Sequence, residues 1–180
     1  MDEETVNHDD LWQRTYTSED RESLKKVAAD SLLPSGTYLK VGAGVLSKRT
    51  DAFNPGRPEA NVMIRVAPFK PGSKTEVETK DDGSPRVVGT QFLRMSPVRV
   101  NWTTPEGQDT GQPDASSKLW TQANSAFRKT AGREPEGPAE VLDFLVDQPY
   151  RVRIIQKNTG EDAKGEPRND VMAISALVSE

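Results

Sequence analysis

The fold is decided by the stretch Asn61-Val62-Met63-Ile64-Arg65-Val66-Ala67-Pro68-Phe69, in which side chains of different character alternate with a period of two. One face of this predicted strand is aliphatic, with Val62, Ile64 and Val66. The other face carries Met63, Arg65, Ala67 and Phe69. Such alternation predicts a half-buried β-strand, and Pro68 predicts an edge or a strand end because proline has no amide hydrogen to donate. The stretch therefore predicts a strand with one face in a core.

Four further stretches have strand character. The first runs from Gly36 to Leu46, where Gly42-Ala43-Gly44 predicts a bend of the kind that small barrels use. The other predicted strands are Arg86 to Val100, Pro149 to Lys157 and Arg168 to Val178. The connection over residues 70–85 is polar, and we expect residues 75–79 to extend it as a hairpin ribbon. Residues 103–114 predict a flexible loop.

Three stretches have helical spacing and recognisable ends. Ser18 offers an N-cap to the first helix, and Gly132 stops the second. The predicted spans are Ser18 to about Ser31, Asp114 or Ser116 to about Ala131, and Ala139 to Val146.

The order of predicted elements is a helix, three strands, a helical segment and two strands. Five strands with a helix between the third and the fourth is the layout of the OB-fold, a partly open Greek-key barrel. We therefore expect a mainly β protein with helices, whose five-stranded OB-fold-like β-barrel occupies residues 32–180. Residues 1–31 precede it as an acidic tail and helix. Another small barrel, or an α+β sandwich with the same element order, is the alternative.

Charge is distributed unevenly along the chain, whose net charge is −4. Residues 1–31 carry four Lys or Arg and nine Asp or Glu, whereas residues 32–101 carry eleven and six. Residues 102–180 carry nine and thirteen. The middle of the chain is thus basic and is flanked by acid. This pattern predicts an electropositive face that binds a polyanion on a protein whose net charge keeps it in solution.

Residues typical of catalytic and metal sites are scarce. The chain has no cysteine, and its one histidine is His8, in the acidic N-terminal stretch. Zinc spacings and phosphate-binding loops do not occur, and Gly42-Ala43-Gly44 lacks the third glycine of a dinucleotide fingerprint. Asp81-Asp82 and Glu161-Asp162 fit solvated turns better than a metal site. We therefore expect a binding protein with no cofactor or metal rather than an enzyme, and a hydrolase with dispersed acids is the weakest alternative.

Features that direct a chain to or through a membrane are also missing from the sequence. No stretch is apolar over the length that a membrane span needs. The acidic first residues lack the apolar region of a secretory signal, and a chain without cysteine fits a reducing compartment. We expect a cytoplasmic protein with no membrane partner.

Basic and aromatic residues are interleaved on the predicted strands. Binding of single-stranded nucleic acid needs cations along the phosphates and flat side chains on which bases stack. Phe92 aligns with Val88, so we expect it in the core instead. The alternation of Tyr150, Val152 and Ile154 predicts that the arginines between them point outward. The candidate binding residues are Tyr38, Lys40, Arg65, Phe69, Arg94, Arg99, Trp102, Arg151 and Arg153.

Several short phrases of the sequence are similar to those of a known group of small phage proteins. They are Leu33-Pro34-Ser35-Gly36-Thr37-Tyr38, Val62 to Val66, the middle segment from Leu119-Trp120 to Leu145-Val146, Pro149-Tyr150-Arg151-Val152 and Asn169 to Ile174. In these phrases and in layout, residues 32–178 resemble the phage-type OB-fold single-stranded-DNA-binding proteins. The chain departs from bacterial single-stranded-DNA-binding proteins at Leu177-Val178-Ser179-Glu180, where an acidic, phenylalanine-ended tail is missing.

The resemblance implies sequence-independent binding of single-stranded DNA in phage DNA replication or recombination, in the cytoplasm of the host. Replication or recombination proteins are further expected partners, and a homo-oligomer is left open. The alternative is a protein–protein interaction module, either a virion or assembly component or an inhibitor of a host enzyme. In that case the acidic N-terminal helix and the long loops would form the contact surfaces.

Overall fold

A computed structural model describes residues 13–50, 57–99, 101–160 and 163–177 of the protein. The helices in these ranges are α1 (Ser18–Asp30), α2 (Ala115–Ala131) and α3 (Pro138–Asp147). The strands are β1 (Gly36–Thr50), β2 (Pro58–Pro68), β3 (Gly89–Met95), β4 (Asn101–Thr103), β5 (Asp109–Pro113), β6 (Tyr150–Lys157) and β7 (Arg168–Ala176). The predicted tail residues 1–12, including His8, lie outside the described residues.

Five of the strands form one antiparallel sheet in the order β3-β2-β1-β6-β7, which curls into a nearly closed barrel. Strands β3 and β7 lie at the two ends of this order, so the barrel is open between them. Helices α2 and α3 come between β3 and β6 in the chain. The predicted fold class, a mainly β protein with an OB-fold-like barrel, is confirmed.

The barrel core is built from the aliphatic faces that the alternation predicts. Val62, Ile64 and Val66 of β2 are buried, because successive side chains of a strand point to opposite faces. Strand β6 buries Tyr150, Val152 and Ile154 against them, and α2 and α3 add the buried side chains Ala123, Phe127, Val141 and Leu145. Burial of each large aliphatic side chain contributes about 1.5–3 kcal/mol, so this layer holds the sheet in one register.

The predicted bend in β1 is a β-bulge. Val41 pairs with Arg65 and Val45 pairs with Met63, so β1 advances four residues while β2 advances two. Gly42 has φ of +67°, a conformation that favours glycine. A Cβ on Gly44 would lie 3.1 Å from the carbonyl oxygen of Met63, so the backbones approach closely there.

The structure differs from the predicted loop over residues 103–114, which contains most of a β-hairpin. Strands β4 and β5 pair at Asn101 with Pro113 and at Thr103 with Asp109. The turn is closed by backbone hydrogen bonds from Thr104 to Gln108 and from Gly107 to Thr104. This hairpin is set by its turn and not by apolar alternation, which is why the periodicity of the sequence misses it. Strand β3 is also shorter than predicted, because the 96–99 segment leaves the sheet.

The helix ends follow their capping residues. Thr17, and not Ser18, caps α1: its hydroxyl accepts from the amide of Asp20, and the Asp20 carboxylate accepts from the amide of Thr17. Asp114 caps α2, which ends at Gly132 in the left-handed conformation. None of the helices in the described part of the chain has the length and hydropathy needed to cross a bilayer.

The chain divides into two compact units. One contains α1 and the 158–168 turn. The other contains the sheet strands, the hairpin, α2 and α3. The barrel core and every candidate binding residue therefore lie in this second unit.

Candidate nucleic-acid interface

The outer face of the sheet carries a row of exposed apolar side chains across three strands. Phe92 of β3 lies opposite Met63 of β2, and Met63 lies opposite Val45 of β1. Directly opposed residues share a face, so the three side chains are neighbours. Phe92 is 59% exposed, Met63 36% and Val45 58%. Exposed apolar side chains that lie together are typical of surfaces that bind a ligand or a partner.

Two arginines lie on either side of this apolar row. Arg65 is two residues beyond Met63 on β2, opposite Thr90, and Arg94 is two residues beyond Phe92 on β3, opposite Asn61. Both arginines are exposed. We call these five residues the platform: Val45, Met63, Arg65, Phe92 and Arg94.

The charges of the platform are largely available. Arg65 forms no ion pair with any residue that the structure describes. The Arg94 Nε atom lies 3.9 Å from the Glu59 carboxylate, which Arg49 holds at 2.9 Å. The Glu59 carboxylate is buried and lies closer to Arg49, whereas the Arg94 side chain is 63% exposed, so the Arg94 guanidinium is accessible to a phosphate.

Gly42 leaves room for the Arg65 guanidinium. A Cβ on Gly42 would lie 2.7 Å from Arg65 Nη2, so the guanidinium lies directly over the bulge of β1. Any side chain at this position would displace it. The bend that closes the barrel therefore also places a cation of the platform.

Phe92 lies outside the core, contrary to the prediction from the sequence. It was expected in the core, but the core positions of β3 are Leu93 and Met95, which have no exposed surface. Both faces of β3 contain apolar residues, so the alternation alone does not show which face is buried. The signal that favours the correct choice is that Phe92 shares its parity with Thr90 and Arg94.

Tyr38 and Lys40 were expected at the binding face, but the structure places both in the interior. The Tyr38 hydroxyl donates to the Pro34 carbonyl at 2.7 Å. The Lys40 ammonium donates to the carbonyls of Val146 and Gln148 at 2.5 and 3.1 Å, where it satisfies the end of α3. Burial lowers the pKa of Lys40, and the nearby Asp147 carboxylate opposes that shift. Neither side chain is accessible to a ligand in this structure, so both leave the candidate interface.

Phe69 belongs to a part of the outer face that the chain itself covers. Leu39, Val41 and Ala67 are buried there, and Phe69 and Val77 pack on them. Phe69 pairs with Val77 through a β-bridge, so the segment after β2 folds back on itself. We call these five residues the covered half. Phe69 is half-buried in it and offers little surface to a base.

The two predicted arginines of β6 differ in accessibility. Arg151 lies opposite Leu39 of the covered half and is half-buried. Arg153 lies opposite Thr37 and is exposed. Arg153 is therefore available at the margin of the sheet, and Arg151 is less so.

Arg99 and Trp102 lie at the β4–β5 hairpin. The Arg99 guanidinium donates to the Gly111 carbonyl at 3.1 Å, and Trp102 is 61% exposed. The Asp109 carboxylate accepts from the Asn101 amide at 3.0 Å and from the Gly111 amide at 2.7 Å. These two hydrogen bonds hold the pKa of Asp109 below its usual value, so the carboxylate stays charged and fixes the hairpin.

The platform presents stacking surface and cations, the combination that single-stranded nucleic acid requires.

Across residues 13–50, 57–99, 101–160 and 163–177, no three acidic, histidine or cysteine side chains converge as metal ligands.

No protein-family model matches the chain, and no curated protein does either. Function is therefore inferred from the geometry of the platform.

Proposed function

We propose that the protein binds single-stranded DNA without sequence preference across the platform. The observation that carries this proposal is the exposed row of Phe92, Met63 and Val45 between Arg65 and Arg94. A base stacked on an aromatic side chain gains about 1–3 kcal/mol, and every base has a face that stacks. The location agrees with the OB-fold, in which ligands lie across the second and third strands.

The cations around the platform suit a phosphate backbone. Arg65 and Arg94 flank the apolar row, and Arg99 and Arg153 are further exposed cations of the same unit. Arg65, Arg94 and Arg99 fall in the basic middle of the chain, whereas Arg153 lies in the acidic stretch that follows it. Neutralisation of phosphates releases counterions, so affinity falls with salt. The resemblance to phage proteins supports a role in phage DNA replication or recombination in the host cytoplasm.

A fluorescence anisotropy titration with a labelled oligothymidine tests the proposal. We expect binding at micromolar protein and low salt, and a weaker complex as salt rises from about 50 to about 200 mM. Phe92→Ala should lose about 5-fold to 150-fold in affinity, since about 1–3 kcal/mol of stacking is removed. Met172→Ala is the matched control, because Met172 is also an exposed apolar residue of the barrel but lies on β7. An absence of binding by the unchanged protein, or equal affinities of the two variants, would contradict the proposal.

A second candidate function, protein–protein interaction through α1, is favoured by one observation. Leu24 and Val27 are exposed, and none of the residues of α1 is buried. Residues three apart lie on the same face of a helix, so the two side chains form a small apolar surface. Sedimentation velocity of the protein with Leu24→Ser and Val27→Ser together tests self-association through this surface. A shift to a smaller species with unchanged DNA affinity would support it, and an unchanged sedimentation profile would count against it.

A further inference from the structure

The base of the β4–β5 hairpin contains a cavity that the platform does not include. Its volume is about 470 Å³, within the range of about 300–1,000 Å³ that small-molecule sites occupy. Trp102 forms one wall, Thr110, Gln112 and Pro113 of β5 form another, and Lys118 of α2 lies at its edge. Trp102 is also the most exposed of the large apolar side chains around the barrel and its hairpin.

The cavity is held in shape by hydrogen bonds. The Thr110 hydroxyl donates to the Trp102 carbonyl at 2.9 Å, and the Arg99 guanidinium donates to the Gly111 carbonyl at 3.1 Å. The Ser117 hydroxyl donates to the Val98 carbonyl at 3.1 Å, which ties the segment before the hairpin to the start of α2. The indole is therefore presented by a fixed backbone, which lowers the entropic cost of binding a ligand against it.

The residues that line the cavity suit a nucleotide with any of the four bases. An indole stacks on every base. The Gln112 side-chain amide both donates and accepts hydrogen bonds, so it does not select one base edge. The Thr110 hydroxyl donates its hydrogen to the Trp102 carbonyl, so toward a ligand it acts as an acceptor. The Lys118 ammonium is exposed and suits a phosphate.

The acidic residue of the cavity does not oppose an anion strongly. Asp114 also lines the cavity, but its carboxylate lies 2.8 Å from Arg57 Nη2 and accepts from the Ser117 amide at 2.9 Å. Although burial works in the other direction, these partners hold the pKa of Asp114 below its usual value. Its charge is thus compensated within the protein.

We infer that this cavity is a second nucleotide subsite, in which Trp102 stacks one base and Lys118 contacts a phosphate of the strand bound on the platform. The inference rests on the proposed function. Strand β3 carries Phe92 and Arg94, and the chain reaches Trp102 ten residues after Phe92. Ten residues span at most about 36 Å, so Phe92 and Trp102 are close enough for one short oligonucleotide to contact both.

Oligothymidines of about 4 and about 20 nucleotides, within and beyond the footprint of one OB-fold, separate the two sites. Trp102→Ala should weaken the longer oligomer by about 5-fold to 150-fold and leave the shorter one, bound at the platform, unchanged. Phe92→Ala should weaken both. Trp102→Phe should restore most of the affinity for the longer oligomer, since a phenyl ring still stacks. Val98→Ala is the matched control, because Val98 is exposed beside the hairpin but does not line the cavity.

The outcomes distinguish the two proposals. If the unchanged protein binds neither oligomer, the proposed function itself fails. If Phe92→Ala weakens binding but Trp102→Ala leaves both oligomers unaffected, the platform stands and the second subsite is wrong. Equal weakening of both oligomers by Trp102→Ala would also overturn a separate subsite, because it would place Trp102 within the platform footprint.

Discussion

The outer face of the sheet has two halves that differ in what lies over them. In the covered half, Leu39, Val41 and Ala67 are buried beneath Phe69 and Val77. In the platform, side chains of similar character on the same strands are open to solvent. The bulge at Gly42 separates the halves, since Val41 precedes it and Val45 follows it.

The two halves show that an apolar outer face is to be interpreted by what lies over it. One half is covered by the chain itself, because Phe69, Val77 and Leu177 pack on it. Hydrogen bonds from Lys70 to Glu76 and from Glu78 to Pro68 close the segment that carries Val77. The other half has no such cover among the described residues. Apolar area is costly to leave in water, and this supports the proposal that a ligand covers the platform.

The largest expected effect is on stability in the covered half. Leu39→Ala should lower the free energy of unfolding by about 2–5 kcal/mol, because it leaves a cavity among buried side chains. The corresponding substitution in the platform, Met63→Ala, should change the free energy of unfolding by no more than about 0.5 kcal/mol. Urea denaturation measures both. Equal losses would show that the two halves are packed alike.

A substitution at the boundary should affect both properties. Gly42→Ala should cost about 1–2 kcal/mol of stability because its φ is positive, and it should weaken DNA binding because the new Cβ displaces the Arg65 guanidinium. Gly83→Ala is the control, since Gly83 also has positive φ but no atom lies within 4 Å of the added Cβ. Thermal melts and anisotropy titrations should give similar stability losses and a loss of affinity in Gly42→Ala alone. A loss of affinity in both variants would mean that strain, and not Arg65, is responsible.

The arginines of the two halves should differ in salt dependence. Arg65→Ala should reduce the slope of log affinity against log salt by about 0.7, the value for one phosphate contact with a single strand. Arg151→Ala should change the slope less, because Arg151 is half-buried beside the covered half. Titrations at four or more salt concentrations measure the slopes. The reverse ranking would move the phosphate path to β6.

The smallest expected effect lies away from both halves. Arg133 binds the Glu140 carboxylate through two nitrogens, which with the Glu136 amide lowers the pKa of Glu140 to about 2. A depressed pKa means that this stabilisation is complete above the ordinary value of 4.5 and is lost as pH falls toward 2. Glu140→Gln should therefore flatten part of the acid dependence of stability in that window, without changing DNA affinity at neutral pH. Denaturation at several pH values checks the first expectation, and a changed affinity would contradict the second.

The sequence predicts the inner face of the sheet well and the outer face poorly. The alternation of Val62, Ile64 and Val66 points to one core face, and five such stretches around a helical segment lead to the barrel. A lysine side chain is usually exposed, which is why Lys40 was predicted at the binding face. Its position in the alternation of β1 puts it on the inner face instead. There its ammonium donates hydrogen bonds to carbonyls at the end of α3. Which outer residues are covered depends on where residues 70–85 fold back, and no local pattern encodes that contact.

The candidate site was predicted in part for the same reason. Arg65 and Arg94 follow from strand parity, because they alternate with buried aliphatic residues. Phe92 required knowing which parity of β3 faces the core, and Trp102 gains its cavity from a hairpin whose pairing depends on turn hydrogen bonds. Tertiary contacts decide these features, so a single sequence does not reveal them.

The most direct test of the platform is ultraviolet cross-linking of a photoreactive oligothymidine to the protein, followed by mass spectrometry of the linked peptides. Bases that stack on the platform should link to the β3 peptide at Phe92, and the link should be lost when unlabelled oligothymidine competes. Cross-links confined to α1 or β7, or none at concentrations where anisotropy shows binding, would contradict the account.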